Sequence, residues 1–276
     1  MASNLSISRA WDETREIFRR DGKLITAVAL ALIVLPQVIA SLIAPQGSSA
    51  ASDPSTGARL MMLAVMLISL VGQLSIIRLA LGPSTTVGDA IQHGLRRFPA
   101  ALGALIIMIL GMAILIIPIL TIFVIALGIR PEGLQQGQAS GPIGLVVLLL
   151  VLIVVAISIR FTLVSPVASA EKVGPLTILK RSWRLTAGNY WRLLGFVILL
   201  LIAAVALIAA ASVIGGILAR LVSSTIEPFS LSALIIALAA GVAQGAFSVL
   251  AAVMMTRIYT QVAGRDVEPS VPSSGI

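Results

Sequence analysis

The stretch that decides the fold runs from Ala101 to Leu127 and reads ALGALIIMILGMAILIIPILTIFVIAL. It contains no charged side chain, and it exceeds the roughly 20 apolar residues that a helix needs to cross a hydrocarbon core of about 30 Å. A helix suits that core because it satisfies its backbone hydrogen bonds internally. The stretch therefore predicts a transmembrane helix.

Five further runs have the same character, so the chain is predicted to contain six transmembrane helices. These runs are approximately Leu24–Ala44, Leu60–Leu81, Gly144–Leu163, Leu194–Leu221 and Leu231–Tyr259. The composition agrees, because 58% of the residues are hydrophobic and 11% are charged, against roughly half and a quarter in soluble domains. We expect an all-α integral membrane protein: one polytopic domain over residues 1–263, followed by a disordered tail over residues 264–276.

The distribution of basic residues predicts the orientation of the spans. All 19 Lys and Arg residues except Arg59, Arg130 and Arg220 fall on the side of the two termini. By the positive-inside rule, the N-terminus, the C-terminus and the tail are expected in the cytoplasm. Basic loops of a membrane protein meet anionic lipid head groups, so nucleic acid is not an expected partner.

A segment before the first, third and fifth spans is predicted to be an amphipathic helix in the membrane surface. In the first segment, four side chains recur at the spacing of one helix face: Ile7, Trp11, Thr14 and Phe18. The matching positions of the other two segments are Val87, Ile91, Gly94 and Phe98, and Leu179, Trp183, Thr186 and Tyr190. Aromatic rings suit the head-group region, which predicts these interfacial anchors: Trp11, Phe18, Phe98, Trp183, Tyr190 and Trp191.

The chain is predicted to repeat one unit three times, each unit being a surface helix, a span out and a span back. The units cover residues 5–81, 85–164 and 175–258. Their second spans end alike, in IIRLAL, SIRFTL and MTRIYT, each with one arginine at the membrane edge. Because every unit crosses the membrane twice, all three face the same way, which predicts a pseudo-threefold axis along the membrane normal.

The third unit carries two distinctive motifs, RFxLxxP from Arg160 to Pro166 and RSWxLTxGxxWR from Arg181 to Arg192. With Glu171 and a Gly-Pro pair between them, these motifs resemble the bacterial glycerophosphoryl diester phosphodiesterase membrane-domain family. The resemblance covers about residues 160–195 and implies a place in the bacterial inner membrane and a connection with lipid. In that family a separate domain carries the phosphodiesterase activity, so the resemblance does not imply that activity here.

The sequence offers little material for catalysis. It has no cysteine and a single histidine, His93, and its carboxylates all lie outside the predicted spans. A metal-dependent hydrolase needs several His and carboxylate ligands that converge at one point. We therefore expect a non-enzymatic protein with no catalytic residue, no metal site and no cofactor, and we expect His93 to be a solvated surface residue.

Three amides lie several turns inside the predicted spans: Gln37, Gln73 and Gln244. The favoured interpretation is hydrogen bonding between helices, and the alternative is a polar path through the membrane. Beside Gln244, Gly241 and Gly245 form a GxxxG motif, which is typical of close helix packing within a chain or between chains.

The three arginines at the ends of the second spans, Arg78, Arg160 and Arg257, also have two interpretations. Under the favoured one, each side chain extends to the membrane interface. Under the other, the three converge and hold an anionic lipid head group, because a guanidinium can donate two hydrogen bonds to phosphate.

The expected function is to organise or bind membrane lipid, or to support a membrane complex. The alternative is a transporter or permease component with a central polar path. The expected partners are the phospholipid bilayer and its anionic head groups, together with a second copy of the chain or another membrane protein. A cavity at membrane depth that is lined by the three glutamines and joined to both sides would favour the transporter, whereas a leucine-filled centre would favour the structural role.

Overall fold

The protein is helical throughout the regions that its computed structural model describes, which are residues 5–43, 56–82, 86–126, 141–223 and 230–264. No strand occurs within these ranges. The helices are α1 Ile7–Ala29, α2 Leu35–Ile43, α3 Thr56–Leu81, α4 Val87–Ala126, α5 Gly141–Arg160, α6 Val164–Ala170, α7 Pro175–Ala187, α8 Tyr190–Val222 and α9 Leu231–Ala263. A π-helical segment, Leu30–Val34, joins α1 to α2. Arg130 and the predicted tail beyond residue 264 lie outside the described residues.

Six helical stretches are long and apolar enough to cross a membrane, as the sequence predicted. They are Ile7–Leu42, Thr56–Leu81, Val87–Phe123, Leu148–Ala170, Tyr190–Val222 and Leu231–Ala263. Each of them contains most of one predicted run, because about 20 apolar residues are both necessary and sufficient to span the hydrocarbon. The prediction of an all-α, multi-pass membrane protein is confirmed at this level.

The predicted surface segments differ in how they join their spans. In α1 and α4, the segment and the span form one helix, which in α4 continues through Pro99. Only the third segment, α7, is a helix of its own, because Gly188 and Asn189 separate it from α8. Glycine and asparagine are both poor helix formers, so this adjacent pair ends α7 before α8 begins.

Two of the segments, α1 and α7, bury part of the predicted face together with neighbouring positions. In α1 the buried residues include Ala10, Thr14 and Ile17, whereas Trp11 is 45% exposed. In α7 the buried residues are Ile178, Leu179, Ser182, Leu185 and Thr186. The buried positions thus combine aliphatic, hydroxyl and alanine side chains, while the rings of Trp11 and Trp183 stay about half exposed.

Hydrogen bonds gather distant parts of the chain at one end of the helix bundle, which we call the basic end. The backbone N–H of Ser6 donates to Oε1 of Gln261 (3.2 Å), and Nη1 of Arg192 donates to the carbonyl oxygen of Leu5 (2.8 Å). The hydroxyl of Tyr259 donates to Oε1 of Glu171 (2.9 Å). The largest buried core includes residues from the same elements, α1, α6, α8 and α9.

Away from the basic end, the long helices carry exposed apolar side chains. Ile114 and Ile125 of α4 and Leu221 of α8 are each at least 74% exposed. In water such a surface would be unfavourable, but hydrocarbon solvates it. The outer parts of α4, α5 and α8 therefore have the character of lipid-facing helices.

Candidate functional site

A cavity of about 700 Å³ lies between the spans, and all three predicted glutamines line it. We call it the glutamine cavity. Its walls come from the π-helical segment, α2, α3, α4, α6, α9 and the turn between α5 and α6. Along α3 it extends from Met62 to Gln73, which corresponds to about 16 Å of helix at 1.5 Å per residue. It therefore spans roughly half the thickness of a bilayer's hydrocarbon core.

Close packing on one side of α9 turns Gln244 towards this cavity. A β-carbon added at Gly241 would lie 2.7 Å from Cγ2 of Val38, and one added at Gly245 would clash with Val34. The GxxxG motif thus packs against the first span within the same chain. Gln244 lies between the two glycines in sequence but projects from a different face, and it is exposed to the cavity.

The interhelical hydrogen bonds that the sequence favoured for the glutamines are absent from the described part of the chain. Gln37, Gln73 and Gln244 make no hydrogen bond to another described residue. The helices meet through small and β-branched side chains, such as those of Gly241 and Val38, and this leaves the longer amides facing open space. The expectation that these glutamines join helices is therefore corrected: their side chains line the wall of a cavity.

A serine accompanies each glutamine on the cavity wall, one turn away on the same helix. The pairs are Gln37 with Ser41, Ser69 with Gln73, and Gln244 with Ser248. Residues at i and i+4 share a helix face, so this spacing was a readable signal that the sequence analysis missed. Together with Ser165, these side chains give the cavity amide and hydroxyl groups but no charge.

The remaining wall of the glutamine cavity is apolar. It includes these side chains: Ile33, Met62, Val65, Met66, Leu70, Leu105, Met108, Phe161, Val164 and Phe247. A recess with apolar walls and a few polar groups is the usual form of a small-molecule site, for which volumes of about 300–1,000 Å³ are typical. The wall residues that the structure describes include no ionisable group, so they bind and orient a ligand through apolar contacts and neutral hydrogen bonds.

Among the three predicted arginines, Arg160 is held by aromatic rings. Its guanidinium carbon lies 5.1 Å from the centre of the Trp183 ring and 5.0 Å from that of Tyr190. Both distances are typical of cation–π contacts. Its backbone carbonyl accepts a hydrogen bond from the hydroxyl of Ser182 (2.9 Å). These contacts give Trp183 and Tyr190 a partner within the protein in addition to the predicted interfacial role.

The other two arginines have different surroundings. Nη2 of Arg257 donates to the backbone carbonyl of Ala80 at the end of α3. Arg78 is exposed and lines a second recess, at the basic end. The structure thus places the three arginines in different surroundings, and a shared lipid-binding role for them stays a prediction.

The predicted interfacial aromatic residues are found near the basic end, with varied exposure. Trp183 is 46% exposed and Trp191 is 79% exposed, while Phe18, Phe98 and Tyr190 are partly buried. Exposed indole rings at the end of a bundle suit the head-group region, where one edge is apolar and the other can donate a hydrogen bond. Anchoring by these rings stays a prediction.

The second recess, of about 700 Å³, lies at the basic end, and we call it the basic pocket. It is lined by Arg78, Leu81, His93, Arg96, Arg97, Ser169, Ala170 and Lys172. From the sequence, Arg96, Arg97 and Lys172 served only to predict the orientation of the spans, and Arg78 was grouped with Arg160 and Arg257 as a candidate lipid ligand. Their gathering was not readable from sequence, because α3, α4 and α6 meet only in the folded chain.

His93 differs from the prediction of a solvated residue. It is partly buried, and its Nε2 lies 2.9 Å from the carbonyl oxygen and 3.3 Å from the hydroxyl of Ser169. The reason is that α6 packs against α4 and covers one side of the imidazole. Within the described residues, no three His, Asp or Glu side chains come close enough to hold a metal ion.

Residues 5–262 match the family described as Domain of unknown function (DUF7847). Comparison with curated proteins finds no match, and comparison with solved structures finds none either. The matched range includes every residue that lines the glutamine cavity and the basic pocket. It supplies no link to the glycerophosphoryl diester phosphodiesterase membrane-domain family, so that resemblance stays a prediction.

Proposed function

The chain belongs to the DUF7847 family, and we propose that it is a non-enzymatic membrane protein that binds a lipid chain in its glutamine cavity. The observation that carries this proposal is a recess of about 700 Å³ between candidate membrane spans, with apolar walls and uncharged amide and hydroxyl groups. Such walls accept methylene groups by contact and can hydrogen-bond an ester or hydroxyl. A membrane lipid offers both kinds of group.

The surroundings of the cavity also favour lipid. The outer parts of α4 and α8 expose isoleucine and leucine side chains, which hydrocarbon would solvate. A lipid is therefore available at high concentration beside the recess. In the proposed setting, a bacterial inner membrane with both termini in the cytoplasm, the basic end meets anionic head groups.

We include the threefold arrangement in the proposal, because the last helix of each unit packs against the first segment of the next. A β-carbon at Gly94 of α4 would lie 2.6 Å from Oγ of Ser75 in α3. The hydroxyl of Ser182 in α7 donates to Arg160 of α5, and Ser6 next to α1 bonds to Gln261 of α9. The third contact returns from the last unit to the first, as a ring requires.

Equivalent positions of the three units support the same arrangement. Ala10, Ala90 and Ser182 occupy matching places in the predicted repeat, and each is 0% exposed. An experimental structure would test the proposal by superposing residues 5–81 on 85–164 and 85–164 on 175–258. The ring requires both superpositions to use the same rotation of one-third of a turn, and unrelated rotations would contradict it.

The lipid-binding function is tested by filling the cavity. In Ser69→Phe combined with Ser248→Phe, two rings occupy the recess from facing helices, so a bound lipid is expected to be lost. Native mass spectrometry of the protein released from nanodiscs would measure the lipid retained. The matched control is Ser212→Phe, which makes the same change at an exposed position of α8 outside the cavity.

Loss of retained lipid in the double variant but not in the control is the expected result, with thermal stability unchanged in both. Equal retention in the wild-type protein, the double variant and the control would contradict a lipid chain in the cavity.

A transporter is the second candidate, because the three glutamines do share one recess. The chain contains no cysteine, so Ser69→Cys introduces a single thiol into the cavity wall. A membrane-impermeant maleimide can then be applied separately to each face of sealed vesicles. Labelling of Ser69→Cys from both faces would favour a transport path, whereas labelling from one face or neither favours the lipid site.

A further inference from the structure

The basic pocket concentrates positive charge to a degree that the packing of the fold does not require. Arg78 comes from α3, Arg96 and Arg97 come from α4, and Lys172 follows α6. Three separate elements therefore bring four cations to one recess. Like charges repel, so this gathering carries a cost that a bound anion would remove.

The carboxylates of the described residues do not neutralise these four cations. Glu171, the closest in sequence, is bound to Nε of Arg181 (3.1 Å) and accepts a hydrogen bond from Tyr259 (2.9 Å). In the part of the chain that the structure describes, none of the four pocket cations forms an ion pair with an acidic side chain.

A fixed wall holds the pocket together. Ser169 is 1% exposed, and its hydroxyl lies 3.3 Å from both the carbonyl oxygen of Leu74 and Nε2 of His93. The carbonyl of Ser169 also lies 2.9 Å from Nε2 of His93. This network ties α3, α4 and α6 to one another, so it fixes the backbone positions from which the arginines extend.

We propose that the basic pocket binds a phosphate group, in the form of a phosphomonoester or phosphodiester anion. Phosphate has oxygen atoms on several sides, and paired guanidinium groups can each donate two parallel hydrogen bonds to it. Lys172 adds a point charge at the rim. The proposal goes beyond lipid binding in the glutamine cavity, because it rests on a different set of side chains.

The phosphate can belong to a lipid head group or to a free solute, and the position of the pocket bears on this choice. The glutamine cavity and the basic pocket share three elements: Gln73 is followed by Arg78 in α3, Arg97 by Ala101 in α4, and Ser165 by Ser169 in α6. Four or five helical residues correspond to about 6–8 Å. A phospholipid whose phosphate bound in the pocket would have its chains beginning about one turn from the cavity.

Two binding measurements distinguish a phosphate on a lipid head group from a phosphate on a free solute. In detergent, titration calorimetry with inorganic phosphate and glycerol 3-phosphate tests the free anion. In nanodiscs, native mass spectrometry tests whether phosphatidylglycerol is retained over diacylglycerol, which lacks the phosphate. Binding in the first measurement supports a soluble phosphate ligand, and binding only in the second supports a head group.

The variant Arg78→Gln with Arg96→Gln and Arg97→Gln removes three of the four charges and is expected to weaken either kind of binding at least tenfold. The matched control is Arg9→Gln with Arg15→Gln and Arg19→Gln, which removes the same charge from exposed positions of α1 at the same end. The control is expected to bind within about twofold of the wild-type protein, since those arginines lie outside the pocket.

If the triple variant fails to fold, Lys172→Gln gives a second test. Lys172 is exposed, so its replacement leaves the core intact and should weaken binding severalfold. Raising the ionic strength from 0.1 to 1 M should also weaken binding about tenfold, because the screening length falls from about 10 Å to about 3 Å.

Equal binding of every probe by the triple variant and its control would overturn the phosphate site. The cavity-filling variant, Ser69→Phe with Ser248→Phe, is expected to leave binding of inorganic phosphate unchanged. Failure of the cavity proposal and failure of the phosphate proposal therefore give different results.

Discussion

The glutamine cavity and the basic pocket have the same volume, about 700 Å³, and share helices α3, α4 and α6, yet their chemistry is opposite. Among the described residues, no charged side chain lines the first recess, whereas four line the second. The change occurs over a single helical turn, between Gln73 and Arg78 in α3 and between Ala101 and Arg97 in α4. Depth along the helix axis thus decides what each recess can bind, because a charge deep in a span is costly and one at its edge is not.

The largest expected effect comes from placing a charge in the uncharged cavity. Gln244→Lys introduces an ammonium group near the middle of α9 and should destabilise the protein by about 2.5–3.5 kcal/mol, the cost of a charged residue at the centre of a span. Thermal unfolding in detergent and the amount of protein inserted in membranes would measure it. Gln92→Lys, at an exposed position of α4 near the basic end, is the control and should be neutral. Equal stability of the two variants would mean that the cavity is already filled with water.

A smaller effect is expected at the contact that separates the two recesses. A β-carbon at Gly94 would lie 2.6 Å from Oγ of Ser75 and 2.8 Å from the carbonyl oxygen of Val71, so Gly94→Ala must push α4 away from α3. Overpacking of this kind costs about 1–3 kcal/mol. The variant should lose both lipid retention and phosphate binding, because both recesses depend on the distance between these helices.

The control for Gly94→Ala is Gly111→Ala in the same helix, where an added β-carbon meets nothing within 4 Å. Because alanine favours a helix over glycine, this control should be neutral or stabilising by up to about 1 kcal/mol. If the two variants had the same stability, the close approach of α3 and α4 would be wrong.

The smallest effect is expected at His93, whose contact with Ser169 lies in the wall of the basic pocket alone. His93→Ala removes one partly buried hydrogen bond and should cost about 0.5–1.5 kcal/mol. It should weaken phosphate binding and leave lipid retention in the glutamine cavity unchanged. Gln92→Ala, a change at the neighbouring exposed position, provides the baseline for thermal stability. A loss of lipid retention in His93→Ala would contradict the separation of the two recesses.

The six candidate spans were predictable because they depend on a property that each segment carries by itself. A run such as Ala101–Leu127 is apolar on every face. Its preference for hydrocarbon over water therefore does not depend on which helices lie beside it. The segregation of basic residues to one side was also predictable, because successive loops of a multi-pass chain alternate between the two sides of the membrane and the Lys and Arg residues fall mostly in every second loop. The packing of Gly241 and Gly245 was predicted in part. Their GxxxG motif indicated a close helix contact, but only the structure shows that Val34 and Val38 are the partners.

The site could be predicted only in part. Gln37, Gln73 and Gln244 were identified as unusual polar residues in spans, but hydrogen bonding between helices was the wrong expectation among the described residues. An amide in a helix has the same sequence context whether it meets another helix or an open recess. Arg160 illustrates the same limit, since its position was notable in sequence while its contacts with the rings of Trp183 and Tyr190 required α5, α7 and α8 to meet.

The sequence by itself determined how many helices could cross a membrane, which residues are polar within them, and at which end the cations gather. The spans follow from composition over about 20 residues, because an apolar helix of that length is long enough to cross the hydrocarbon core. Only the tertiary structure decided that three glutamines share one cavity and that Arg78, Arg96, Arg97 and Lys172 share one pocket. The physical reason is that a recess is the space left where several helices fail to touch, and that space depends on the side chains of all of them together.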